Sequence, residues 1–575
     1  MGSVMRIFSV FVVSLLIGVV GCQPAAEKQV VEANGPTAPV ALESLIREYV
    51  DLERAKRKPG ELPDVSAEAF LQEIDMQRQL LEKIRAIATD DLSPEQLIDR
   101  RLLIGRLETS VRSAENRRSW ENDPSLYVPS RRIGMSLEPQ APGTAEERAG
   151  KVTALLDKMP ARIDHARRNL GRPPQRVTEA AIFQTRGTIA SVRDGVPPLT
   201  EQAGAAAGEV LITSSEAALQ SLEGYLQFLE EELLPRSDGD WAIGKEEYDY
   251  ILKHRWFLDA DAEAILERGL RAFEETEALA QAVAGRIEPG KHWAEVYERL
   301  KDDHPAAGGI KQAYQEQMDA AQAFVRDKQI VTLPEGEHVI TVDTPPAMRR
   351  SSPFGTFQGV DQFDDGLEGR LVLTPIDDSM TPEQSAERLR SHHRAWVPII
   401  AVHEAYPGHH VHALKMRENP RMLRRVVRES IHSEGWGLFT EELMFELGFL
   451  KGDDVRLTQL RNRLWRAARV ILDVSLHTGR MSVEEAVDFL AEKVRFERYA
   501  AELEVGMYTR NPTYVLGYLI GMQEITAIRA EYIERFGEPS PPSEFYDRLL
   551  RVGSIPPALI RMDLFGATPG EARSD

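Results

Sequence analysis

The sequence predicts a mainly α-helical protein, a large elongated helical body with a small β-sheet just before a histidine-rich helix. Three observations predict it. Apolar residues recur at helical spacing over most of the chain, helix-start signals recur as far as Glu485, and β-branched runs are confined to 329–373. At 575 residues the chain is too long for one compact core, so two or more lobes or one elongated body are expected. Its 28% charged and 42% apolar residues are an ordinary globular mixture, which excludes a collagen-like, low-complexity or mostly disordered protein.

The N-terminus reads as an export signal over residues 1–21. Arg6 supplies the positive charge, and Ile7 to Val20 is an apolar run too short to span a bilayer comfortably. It ends in Val19-Val20-Gly21-Cys22, which resembles a bacterial lipobox with Cys22 as the lipidated residue. Cys22 is the only cysteine, and that coincidence favours the lipobox over an ordinary secretory signal. Gln23 follows it rather than Asp, the default outer-membrane sorting pattern in a two-membrane bacterium. A polar, Ala/Pro-rich tether over 22–40 comes next. The expected location is therefore the bacterial cell envelope, lipid-anchored, and the outer membrane facing the periplasm if the source has two membranes.

The N-terminal helical region spans 41–328. Leu42, Leu45, Ile46, Tyr49 and Val50 mark one helical face. Ser93-Pro94-Glu95-Gln96 is a capping box with proline at the first helical position. Residues 209–234 and 244–285 read as amphipathic helices split by the turn Pro235–Asp240. The second region, 329–575, opens with three strand-like runs, 329–333, 338–342 and 370–373, bounded by Gly and Pro clusters. Thr381-Pro382-Glu383-Gln384 and the pair Ser482 and Glu485 are further capping boxes.

Several functions are excluded early. With 70 basic and 91 acidic residues the chain carries a net charge of −21, so it has no net attraction for nucleic acid. Aromatics make up a modest 7%, and no stacking platform for single strands stands out. One cysteine rules out an internal disulfide framework and a multi-cysteine zinc site. There is no G-x-G-x-x-G, no G-x-x-x-x-G-K-[ST] and no G-x-S-x-G.

The histidines carry the chemistry. Seven of thirteen (His392, His393, His403, His409, His410, His412 and His432) lie between 392 and 432, where a uniform spread would place about one. His403-Glu404-Ala405-Tyr406-Pro407-Gly408-His409-His410 resembles H-E-x-x-H, in which two imidazoles one turn apart hold zinc beside a glutamate base. The spacing here is six. On an unbroken helix that leaves the rings about 120° apart. Pro407 clashes with the carbonyl four residues back and Gly408 permits unusual dihedrals, so a two-residue bulge at Tyr406-Pro407 would return His409 to the second ligand position. His410 is the alternate, on the face of His403 but about 10 Å along an ideal helix. Glu434, on an expected helix 429–447, offers the third ligand of a two-His-one-Glu zinc site. Such a site leaves the fourth position to water, whose pKa the Zn²⁺ ion lowers towards neutrality, with Glu404 placed to take its proton.

The H-E-A-Y-P-G-H-H string, the S-E-G-W-G-L-F-T-E-E segment at 433–442 and Pro512 with Tyr518-Leu519-Ile520-Gly521 resemble the bacterial family of "domain of unknown function 885" (DUF885), which includes many predicted lipoproteins. The resemblance covers about residues 40–560. It implies a gluzincin-type zinc metallopeptidase with a helical build like that of neurolysin and angiotensin-converting enzyme, one Zn²⁺ ion on His403, His409 and Glu434, and Glu404 as base. The chain departs from the family's Arg-Tyr-x-x-x-Pro-Gly-Gln near the C-terminus. Met507, Thr513 and Tyr514 stand at the Arg, Gly and Gln positions. In related peptidases a Tyr or His from this region stabilises the oxyanion, and Tyr508, Tyr514 and Tyr518 are the candidates, Tyr514 and Tyr518 foremost. His432 and the pair His392-His393 could also line the cleft, although 392 and 393 are expected on an exposed or packed face of the Thr381 helix.

The expected function is zinc-dependent hydrolysis of peptide bonds through a metal-bound water activated by Glu404. Peptides are the substrates, the lipid anchor the membrane contact, and nucleic acid is no partner. The small sheet could offer an edge to an extended substrate. The alternative is a non-catalytic metal-binding lipoprotein, a scaffold or substrate-capture module, and a third reading places non-haem iron on the same two histidines and carboxylate.

Overall fold

Each of the three capping boxes opens a helix. In Pro94–Arg117, Pro382–Arg390 and Val483–Lys493 the N-cap side chains of Ser93, Thr381 and Ser482 accept from the backbone N–H three residues on, and the side chains at that third position return the bond. The computed structural model describes residues 36–56, 62–138, 141, 143–344, 355–376 and 380–566. The signal sequence, Cys22 and the tether up to residue 35 lie outside the described residues. Most of what is described is helical, with one small sheet. No helix among the described residues is long and apolar enough to cross a membrane.

The first helix, Ala38–Ala55, buries Leu42, Ile46, Tyr49 and Val50, the face that the spacing marks. Ala205–Phe228 runs on through a π-helical turn, Leu229–Leu233, to the break at Ser237. The stretch 244–285 is two helices, Gly244–His254 and Ala262–Ile287. Between them the chain turns so that Trp256 and Leu258 enter the core, and Asp261 caps the second helix by accepting from the Ala264 N–H.

The larger apolar core draws on residues from Leu42 to Leu564. A second core, from Leu62 to Leu233, lies under helices that include Ala145–Leu156, Gln175–Ala203 and Ala205–Phe228.

The sheet has three strands, β1 (His338–Asp343), β2 (Gly355–Gln358) and β3 (Glu368–Leu373), in the order β1-β3-β2. β1 runs parallel to β3 and β2 antiparallel to it. The expected strand at 329–333 is not one. It follows the helix Ile310–Asp327 through Gln329 in the left-handed region, then buries Ile330 and Val331 in the core, while the Thr332 N–H donates to Asp547. The second outer strand is instead the four-residue β2, too short to register as a run. The outer edge of β1 is met by the helix Ile310–Asp327: Gln315 accepts from the Thr341 N–H and donates to the Val339 carbonyl.

Two helices pack face to face, Ser430–Glu446 and Leu516–Phe536. Their contact is glycine on glycine. A Cβ on Gly435 would lie 2.6 Å from the Gly521 Cα, so the backbones touch only because neither residue has a side chain. The start of the first of these helices is fixed by charge. Glu429, its N-cap and fully buried, pairs with Arg106 from Pro94–Arg117 and accepts from Arg255 Nε at 3.1 Å. Burial pushes the Glu429 carboxyl up, but Arg255 and Arg106 outweigh it and hold it below the usual carboxylate range.

Candidate metal centre

The chain reaches the histidines through a broken helix. Val397–Ile400 passes into a π-helical turn, Ala401–Ala405, and Tyr406 is extended (φ −126°, ψ 112°). The Tyr406-Pro407 peptide is cis, and a new helix runs over His409–Arg417. His403 and His409 therefore sit on two helical segments, not on one helix carrying a bulge. Pro407 brings no N–H to continue the first segment. A Cβ on Gly408 would fall 1.8 Å from the His403 carbonyl oxygen, so only glycine fits the turn. The Gly408 N–H donates to the Val402 carbonyl at 3.0 Å, and the Trp436 indole N–H donates to the Pro407 carbonyl at 2.8 Å. The second bond ties the turn to the Ser430–Glu446 helix.

That helix supplies the other wall. Glu434, Gly437 and Glu441 fall at i, i+3 and i+7 and share a face. His403 lies flat over Gly437, where a Cβ would be 2.7 Å from its Cε1. Its Nδ1 donates to Glu441 Oε1 at 2.9 Å, since a carboxylate oxygen accepts, and this turns Nε2 towards Glu434 Oε2 at 3.9 Å. His409 Nε2 is 3.4 Å from the same oxygen. The two imidazoles are perpendicular, with centroids 4.9 Å apart.

The three ligand atoms of His403, His409 and Glu434 lie within 4.8 Å of one another. Tetrahedral zinc with bonds of about 2.1 Å sets its ligand atoms about 3.4 Å apart. The His409–Glu434 pair is at that spacing and the His403–Glu434 pair slightly wider, so the trio fits a zinc-sized ion. His403 is buried while His409 and Glu434 are half-buried, so solvent reaches one side of the trio. Electrostatics agree with a cation site. Burial disfavours a charged His403, but Glu434 and Glu441 outweigh it and raise its pKa to about 10. Burial likewise works against the Glu434 carboxylate, yet His409 and His403 hold it well below its ordinary range. Glu404 is half-buried, next to the first ligand, and no group among the described residues hydrogen-bonds to its carboxylate.

The sequence model described as "Bacterial protein of unknown function (DUF885)" matches residues 50–564, a span that contains the sheet and the whole trio. The chain belongs to the DUF885 family. Two solved structures share the fold. One is described as "a putative lipoprotein of unknown function from Shewanella oneidensis", with a TM-score of 0.76 at 20% identity over 92% of this chain and 99% of that one. The other is "the putative lipoprotein from Colwellia psychrerythraea", with a TM-score of 0.74 at 17% identity over 92% and 98%. At these identities the likeness is one of fold. No curated protein matches the chain.

The remaining candidates in this DUF885 chain separate cleanly. His410 points away from the trio. Its Nε2 lies 3.1 Å from Glu337 Oε2, which also accepts from the Tyr406 hydroxyl at 2.8 Å, and its ring packs against Gly369 of β3. Of the three tyrosines, Tyr514 stands at the trio, its hydroxyl 3.5 Å from Glu434 Oε1, and is 39% exposed. Tyr518 stacks edge-on against Tyr514 at 6.5 Å, and burial together with the Glu434 charge raises its pKa well above the usual value. Tyr508 is fully buried and donates to Glu504 at 2.9 Å, away from the trio.

The other histidines do not line the centre. His432 is sealed in and its Nδ1 donates to the Gly553 carbonyl at 2.9 Å. His392 and His393 lie beyond the end of the Thr381-capped helix, both buried, one against Tyr314 and the other between Tyr297 and Trp396. Glu441 is the functional residue that sequence reasoning missed. Its signal was its place two full turns after Glu434.

Proposed function

We propose that this protein is a zinc-dependent peptidase of gluzincin type, with His403, His409 and Glu434 as metal ligands and Glu404 as general base. The observation that carries the reading is the open trio beside an unpartnered carboxylate. A purely structural metal site is closed by its ligands, whereas this one is reachable by solvent and has a free carboxylate next to its first ligand. A bound Zn²⁺ supplies Lewis-acid polarisation of the scissile carbonyl and acidifies water.

The chain's own residues do the rest. Glu404 removes a proton from the attacking water and returns it to the leaving amine. Tyr514, whose hydroxyl already reaches Glu434, donates to the negative charge that develops on the carbonyl oxygen. Glu441 fixes the His403 tautomer and orientation. The helical body with its ligand glutamate on a second helix supports a relationship to the neurolysin and angiotensin-converting-enzyme build, and 329–575 is the metallopeptidase region. The Cys22 lipobox supports a lipid-anchored place in the cell envelope, at the outer membrane where the source has two. Both structural neighbours are described as "putative" lipoproteins.

Glu404→Gln tests the reading, because it preserves shape and removes the base. Zinc content and thermal stability should stay near wild type while cleavage of a mixed peptide library, read by mass spectrometry with and without chelator, falls by about 10²–10⁴-fold. A zinc-loaded wild type that cleaves no peptide leaves the non-catalytic lipoprotein as the reading.

A further inference from the structure

The helix Asp453–His477 runs through the larger core with few of its residues exposed. Its buried side chains are not all apolar. Gln459, Asn462 and Arg466 fall at i, i+3 and i+7, on one face. Gln459 Nε2, Asn462 Oδ1, and Arg466 Nε and Nη1 are shut off from solvent and have no hydrogen-bond partner among the described residues. Upwards of nine in ten buried polar groups in folded proteins are satisfied, so open ones call for an explanation; the same helix also leaves Arg461, Arg463 and Trp465 nitrogens open.

Arg466 is the charged member of the row. It is 6% exposed and forms no ion pair with any carboxylate among the described residues. Its neighbour one turn on, Arg469, shows the ordinary solution: Nε donates to Glu504 at 2.9 Å. Arg461 likewise lacks a carboxylate and lies against two rings, those of Tyr297 and Phe496. An unpaired buried guanidinium is among the costliest groups a fold can keep.

The position of Arg466 suggests why it is kept. Its guanidinium lies 4.1 Å from the Trp465 ring centroid and 5.5 Å from that of Tyr518. Tyr518 packs on Tyr514, and Tyr514 touches Glu434. Two tyrosines thus separate the guanidinium from the metal ligand. Glu441, the carboxylate whose charge acts on it most, is already engaged by His403, and its second oxygen is also unpartnered.

We propose that Arg466 forms a subsite for a carboxylate of the substrate beside the metal centre, so that the preferred peptides carry a carboxylate close to the cleaved bond. The proposal rests on the peptidase reading above and specifies its substrate class. A guanidinium donates N–H bonds that a carboxylate's oxygens accept as charge-assisted hydrogen bonds. The carboxylate can be the peptide's free C-terminus or an Asp or Glu side chain.

Binding to the zinc-loaded Glu404→Gln protein, followed by calorimetry, separates these sources without depending on turnover. The probes are N-acetyl-trialanine, its C-terminal amide, and an amide of the same length with a central Asp. A carboxylate-bearing probe should bind about tenfold or more tighter than the plain amide. The free acid winning identifies the C-terminus, and the Asp amide winning identifies the side chain. Arg466→Gln should abolish the preference and Arg466→Lys should keep part of it. Melting of Arg466→Gln guards against misfolding: removing an unpaired buried charge should leave Tm unchanged or raised, whereas a structural arginine would lower it. No preference in wild-type background, whether from equal binding or from none, overturns the proposal, as does a preference that survives Arg466→Gln. A carboxylate preference without hydrolysis of any peptide would keep the subsite and remove the peptidase reading. Hydrolysis indifferent to carboxylates would do the reverse.

Discussion

Glu441 holds His403 from behind: its Oε1 accepts from Nδ1 at 2.9 Å while Glu434, two turns earlier on the same helix, faces the opposite ring nitrogen. One helix thus supplies both a proposed ligand, Glu434, and the group that aims His403. Glu441→Gln should keep the fold and lower zinc affinity by about 10–100-fold, the usual worth of such a partner. Chelator competition on the purified variant reads this directly, and wild-type affinity would remove Glu441 from the role.

Glycines 435 and 437 do different jobs two residues apart. Gly437→Ala places a methyl 2.7 Å from the His403 ring, so the ring must move and zinc should be lost with a modest fall in Tm. Gly435→Ala meets the Gly521 backbone, which cannot rotate away, so the two helices must separate. Overpacking of this kind costs about 1–3 kcal/mol or more. The Tm loss should therefore be larger for Gly435→Ala. Metal content and melting on both variants check the contrast, which fails if the two lose zinc and stability in parallel.

Adjacent histidines should respond oppositely. His409→Ala removes a ligand and should drop zinc well below one per chain. His410→Ala leaves the trio intact but takes a partner from the buried Glu337, costing about 1–3 kcal/mol of stability. Metal analysis showing full zinc in His409→Ala and loss in His410→Ala would exchange their roles.

Acid should destabilise the protein through buried neutral histidines. Burial, with Arg388 nearby, lowers His392 to about 4, and burial with Lys301 and Arg461 lowers His393 to about 3. An unfolded histidine titrates near 6.5, so below that pH the unfolded chain takes up protons that the folded chain refuses. Stability should then fall with pH from about 6.5 towards 4, by about 1.4 kcal/mol per pH unit for each such histidine. Asp473 works the other way. Burial raises its pKa to about 7, so between pH 4 and 7 it holds a proton in the folded state and adds stability as pH falls. Denaturant melts across pH 4–7 should show a shallower acid slope for His393→Gln and a steeper one for Asp473→Asn. Unchanged slopes would mean that these groups titrate normally.

Local signals in the chain were legible where the physics is local. Capping boxes at Ser93, Thr381 and Ser482 involve four residues each, and all three form. The histidine concentration and the Pro407-Gly408 break point to the segment that carries His403 and His409, although the break ends one helical segment and starts another and is not a bulge. What escaped depends on distant partners. Ile330 and Val331 have strand-like composition but go to the core behind a helix end, because the sheet takes Gly355–Gln358 as its third strand. Tyr508 reaches Glu504, four residues back on its own helix Arg498–Arg510, whereas Tyr514 meets Glu434 only through tertiary packing of distant parts of the chain.

The clamp on Glu429 bears on whether the centre can be detached. Its counter-charges, Arg106 and Arg255, come from chain about 300 and about 150 residues before the first histidine of the trio. A fragment starting at the sheet would keep every ligand yet leave a sealed anion at the foot of the helix that bears Glu434. Loss of one side of a buried pair alone costs about 3–5 kcal/mol, a large part of a domain's whole stability. The trio thus has no minimal version. The N-terminal body that carries Arg106 and Arg255 is part of what holds the Glu434 helix in place.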